Sequence, residues 1–146
     1  MEQNLIDIYD MIEHAIDYAF DGRMNLKFYD YLKTSNLNVN VKIVGVAASA
    51  ASVLALAGDT LPTMTENSVI MIHNAWTGEM GEASEFRKIA RDLDKISNQI
   101  ASVYVDQIEK AGKLINGSKD ETKSHLKNLM NRETYLNAEE AFELGL

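Results

Sequence analysis

Apolar positions recur at three- and four-residue intervals over residues 5–20, where Leu5, Ile8, Tyr9, Ile12 and Ile16 are separated by acids and His14. That spacing keeps one stripe of a helix apolar and predicts an amphipathic helix. Gly22 supplies a left-handed cap, and Asn25 starts a second helix through Lys33 that buries Leu26, Phe28, Tyr29 and Leu32. The mostly polar residues 35–40 read as a turn.

The pattern then changes period. A β-branched run, Val39, Val41, Ile43 and Val44, reaches Gly45, and small residues follow in KIVGVAASAASVLAL, residues 42–56. This predicts a strand that turns sharply into a helix at Gly45, with Ser49 in the first helical turn. A connection holding the only proline, Pro62, leads to a second uncharged strand, SVIMIH, at residues 68–73. Helix, strand, helix, strand in this order predicts an α/β domain with a parallel sheet. A long helix over residues 82–114 carries Phe86, Ile89, Leu93, Ile96, Ile100 and Val103 as a narrow heptad seam. Such a seam suits packing against another helix, within the chain or between copies of it. Asn116, Gly117 and Ser118 break that helix, and Ser118 or Asp120 caps another to Met130. A brief strand at residues 133–136 and a last helix at 138–144 precede Gly145.

Composition narrows the function. A chain of 146 residues, 46% hydrophobic and 25% charged, suits one domain over residues 1–146 with a real core. Acids outnumber bases 22 to 14, a net charge of -8 without any basic cluster, which argues against nucleic acid as a partner. The absence of cysteine removes disulfides, thiolate metal sites and thiol nucleophiles. The first residues, MEQNLIDIYD, lack the basic start and apolar core of a secretory signal, and the longest apolar run, residues 44–57, is too short to span a bilayer. The expectation is a soluble cytoplasmic protein with no membrane partner. No clustered ligand set or glycine-rich phosphate loop is present in the sequence, so no metal or organic cofactor is expected.

The candidate chemistry starts from Ser49. In the first turn of a helix, free N–H groups and the positive dipole end stabilise a developing oxyanion, and Gly and Ala let backbone approach closely. A helix packed tightly through its alanines has the same composition. A serine hydroxyl needs a base, and of His14, His73 and His125 only His73 ends a strand. The separation, 73 − 49 = 24 residues, accommodates one helix, a connection and a returning strand, so Ser49 and His73 can share a sheet edge. A strand-end histidine held by a backbone carbonyl is the plainer alternative. His14 and His125 stand among charged residues and read as solvated.

GVAASAAS (residues 45–52) and VIMIHNA (69–75), at this separation, resemble the serine and histidine blocks of the Clp protease proteolytic-subunit (ClpP-like) family. FYDYLKTSN, the long helix and the closing YLNAEEAFELGL resemble other parts of that family, so the likeness covers residues 25–146. AASAAS, HNAW and RETYLNAEEA look closest to its phage and prophage branch of capsid-maturation proteases. The resemblance implies a ClpP/crotonase-like spiral α/β fold with a long protruding handle helix, assembly into a homo-oligomer through that handle, and a polypeptide substrate, with capsid proteins for the phage branch. It makes Ser49 the nucleophile, His73 the general base and the Ala50 amide one oxyanion donor; Ser52 does not match the nucleophile. An ATPase partner is implied by Clp relatives and not required of phage relatives.

Two positions depart from the family. An ungapped match puts Leu129 at the place of the third triad member, whereas the phage branch has an acid at the place of Asn131, with Glu133 and Asp120 as alternatives. Asn131 orients a histidine without stabilising its cation. The family's Ser-Pro-Gly-Gly, whose glycine supplies the second oxyanion N–H, is replaced by DYAFDGRMN, so residues 1–24 form a divergent or remodelled helical segment and Gly22 is the one glycine at hand as a substitute donor. These departures define a second reading, a catalytically impaired assembly or scaffold protein. A crotonase-like acyl-CoA enzyme shares the architecture but leaves the Ser and His blocks unexplained.

Overall fold

The computed structural model describes residues 22–146; the predicted helix over residues 5–20, with His14, lies outside them. Helix α1, Gly22–Thr34, starts three residues before the expected Asn25. It buries Leu32 against Val39 and Ala57, and its partly buried Leu26 and Tyr29 pack on the main core. Lys33 Nζ donates to the Gly58 carbonyl at 2.9 Å, tying the end of α1 to the turn at residue 58.

Where one strand is expected up to Gly45, two short strands in different sheets form, one on each side of that glycine. β1, Lys42–Ile43, and β2, Val46–Ala48, flank Gly45, whose φ of 87° lies where a side chain is strained. The chain bends at Gly45 and continues extended, and the turn into helix α2, Ala50–Leu54, comes at Ser49. β1 pairs in parallel with β3, Thr63–Met64, a strand inside the segment expected to be a plain connection. β4, Val69–Ile72, is the centre of a three-stranded sheet. β2 pairs with it in parallel, whereas β5, Thr134–Asn137, pairs antiparallel, so the sheet is mixed rather than parallel. β5 starts at Thr134 because Glu133, with φ of 50°, turns the chain back toward β4.

Helix α3, Ala83–Lys110, opens with a reciprocal Glu82–Glu85 capping box. It stops short of residue 114 because Gly112 adopts φ of 71° and Lys113 N–H closes on the Ile108 carbonyl at 2.9 Å, the pattern of a Schellman cap. Its buried residues, Ala101, Tyr104, Val105, Gln107 and Ile108, all lie in the C-terminal half. At about 1.5 Å per residue, the N-terminal half of the 28-residue helix extends well past this packed part, with Phe86 48% exposed and Leu93 and Ile96 half-buried. After a 3₁₀ turn, Ile115–Gly117, helix α4, Lys119–Met130, is capped by Ser118, which accepts from the Glu121 N–H. Helix α5, Ala138–Leu144, ends at Gly145 with φ of 96°.

One core joins these layers. Val53 and Leu56 from the α2 region, Ile70 and Ile72 of β4, Tyr104 and Ile108 of α3, Leu126 and Met130 of α4, and Leu136 of β5 are buried together. Among the described residues no helix is long and apolar enough to cross a membrane.

Candidate active site

The parallel register of β2 and β4 places the two candidate groups. Ala48 pairs with Met71, and the Ser49 N–H donates to the Met71 carbonyl at 3.1 Å. Ser49 follows β2 and His73 follows β4, so both leave the sheet at the C-terminal edge of parallel strands. Ser49 Oγ lies 2.7 Å from His73 Nε2. Ser49 is exposed and His73 half-buried, so the pair is open to a substrate.

Ser49 holds φ of 56° and ψ of −121°. A non-glycine residue there costs about 1–3 kcal/mol and persists only where its surroundings fix it. Three hydrogen bonds do so: its N–H to Met71, and to its carbonyl both the Ser52 N–H at 3.0 Å and the Ser52 Oγ at 2.5 Å. The sharp turn lifts the side chain to the rim, where an incoming carbonyl can meet it. Ala50 opens α2, so its N–H belongs to the first-turn donors with no acceptor in the helix. Half-buried Ala50 and Ala51 and buried Ser52, Val53 and Leu54 let α2 sit close against the sheet and α3.

The backbone beyond His73 is tethered too. The Ala75 N–H donates to Ser97 Oγ of α3 at 3.0 Å, and Asn74 Nδ2 donates to Asn131 Oδ1 at 2.6 Å. Asn131, the C-cap residue of α4, thus reaches the neighbour of His73 and not the imidazole. Among the described residues, Ser49 is the side chain hydrogen-bonded to His73, and no carboxylate forms an ion pair with it. Asp120 sits in the first turn of α4, at the opposite end from Asn131 and about 16 Å away along the axis. Glu133 is the residue that one further antiparallel step would set across from His73, but it is exposed, with Oε1 at 3.5 Å from the Tyr135 hydroxyl. Leu129 is half-buried in the core. A cleft of about 460 Å³ runs alongside, lined by Asn74, Ala75, Leu93, Ser97, Lys127 and Asn131.

With this geometry in place, a sequence model of the family described as Clp protease matches residues 23–146. The chain belongs to the Clp protease family. Proteins named ATP-dependent Clp protease proteolytic subunit are 32% identical over 127 residues in Dehalococcoides mccartyi, 31% over 119 in Chlorella vulgaris and 32% over 83 in Pleurastrum terricola. The matches cover 83%, 81% and 56% of this chain and 56%, 54% and 42% of those proteins. The chain spans about half the length of these curated relatives. Its mixed α/β body and long helix are those of a Clp-type fold.

Two contacts near Ser49 and His73 involve residues that the sequence pattern does not single out. Asn74 lies inside the histidine block VIMIHNA, directly after His73. Tyr104 carries no local signal: it lies 52 residues from Ser52, yet its hydroxyl is 2.6 Å from Ser52 Oγ in the core. Burial pushes the Tyr104 phenol up to about 12, so it stays protonated at neutral pH. Among the described residues no group of three or more His, Asp or Glu side chains gathers as a metal site.

Proposed function

We propose that the chain is a serine peptidase of Clp type, acting on polypeptides through an acyl-enzyme. The observation that carries this reading is the 2.7 Å contact between His73 Nε2 and the hydroxyl of a serine held at positive φ. Ser49 Oγ attacks the peptide carbonyl while His73 Nε2 takes its proton, and His73 returns that proton to the leaving amine. The Ala50 N–H supports the oxyanion, and water releases the acyl group with His73 again as base. Asn131 acts at one remove, by fixing Asn74 next to the imidazole.

The finer reading is a protease of the phage or prophage branch, cytoplasmic and homo-oligomeric through α3, with capsid proteins as substrates; AASAAS, HNAW and RETYLNAEEA support it. The named relatives are ATP-dependent, but the chemistry at Ser49 needs no nucleotide. Nucleic acid and membrane are not partners in this reading.

A catalytically impaired scaffold is the second reading, favoured by the neutral Asn131 and by the lack of a carboxylate on His73 among the described residues. A fluorophosphonate probe separates the two. Labelling that disappears in Ser49→Ala supports the peptidase; a folded oligomer that takes no label is the scaffold.

A further inference from the structure

The proton count in the core sets the direction of a hydrogen-bond chain. Ser52 Oγ has one hydrogen, and it is directed at the Ser49 carbonyl, 2.5 Å away. Ser52 must therefore accept from Tyr104, whose hydroxyl lies at 2.6 Å. The chain runs from the Tyr104 O–H to Ser52 Oγ, and from the Ser52 O–H to the Ser49 carbonyl. Tyr104 is 1% exposed and Ser52 fully buried, so no water competes for the bond between them. Such linked donors polarise one another, and a partly unmade chain in a dry core is costly.

We propose that Tyr104 is a positioning residue for Ser49, acting through Ser52 to hold the nucleophile's carbonyl and so its strained backbone. The inference rests on the peptidase reading for its effect on rate, but the geometry it describes stands apart from that reading. Ser52 carries the donor that touches the elbow. Tyr104 aligns that donor from α3, a helix 52 residues further along the chain. Neither residue touches the reacting atoms, so their loss leaves the encounter with a reagent intact and slows the step after it.

The test compares wild type, Ser52→Ala, Tyr104→Phe and the double variant by saturation kinetics with a fluorophosphonate, with crystal structures of the same proteins. Ser52→Ala should lower the maximal inactivation rate roughly tenfold and Tyr104→Phe about two- to fivefold, at unchanged half-saturation. The double variant should be no slower than Ser52→Ala, because both residues act through one bond. Equal maximal rates in all four proteins overturn the proposal and leave the peptidase reading standing. If wild type takes no label, that reading falls and the crystal structures decide the positioning alone. A Ser49 φ that leaves the region near 56° in Ser52→Ala supports the clamp, and an unmoved Ser49 in both single variants overturns it.

Discussion

Ala48 and Met71 are partners in the parallel ladder, and that pairing sets Ser49 and His73 on one rim of the sheet. The Met71 carbonyl takes the Ser49 N–H, which turns the serine to φ of 56° and delivers its hydroxyl to the imidazole. Glycine adopts such angles freely, whereas alanine keeps the steric cost of Cβ. Ser49→Gly should therefore be more stable than Ser49→Ala by about 1–2 kcal/mol in denaturant unfolding. Equal midpoints would mean that the serine is not strained.

Tyr104 gives the fold an alkaline limit. Its phenol titrates near 10 in the unfolded chain and at about 12 in the buried site. The stabilisation is full below pH 10 and falls as pH rises from 10 through 12, since the unfolded chain then holds fewer protons. About 3 kcal/mol is at stake over that window. Tyr104→Phe should flatten the decline measured by urea unfolding between about pH 10 and about pH 12. An unchanged slope would show that other groups dominate.

The N-terminal half of α3 presents Phe86, Leu93 and Ile96 without burying them in the body. Leu93→Glu with Ile96→Glu should dissociate a homo-oligomer while leaving the fold intact, because desolvating unpaired charges opposes assembly. Light scattering reads the outcome; an unchanged mass with native circular dichroism would remove α3 from the interface.

Asn131 accepts from Asn74 where the resemblance to the phage branch calls for an acid. A missing carboxylate in a serine–histidine–acid triad costs about four decades in rate. Asn131→Asp should raise the fluorophosphonate labelling rate by at least about tenfold, through a charge near the imidazolium. A rate equal to wild type would place the orienting group elsewhere.

The serine and histidine blocks were legible because both lie at strand ends, where local pattern and sheet topology agree. The same pattern misplaced the elbow at Gly45, since β-branched residues on both sides of that glycine do not show that they enter different sheets. The mixed sheet was hidden for a similar reason: the antiparallel course of β5 depends on Glu133 at φ of 50°, a conformation glutamate does not advertise. Ser118 and Gly145 were readable as caps because their bonds are local. The Ser52–Tyr104 contact and the Asn74–Asn131 contact are made by packing of distant elements, and no local spacing encodes them.

In the proposed mechanism His73 activates Ser49, and the rate of fluorophosphonate labelling at Ser49 in His73→Ala against wild type measures this directly. A base removed from the nucleophile's hydroxyl should slow labelling by about a hundredfold or more. Labelling of His73→Ala at the wild-type rate would contradict it.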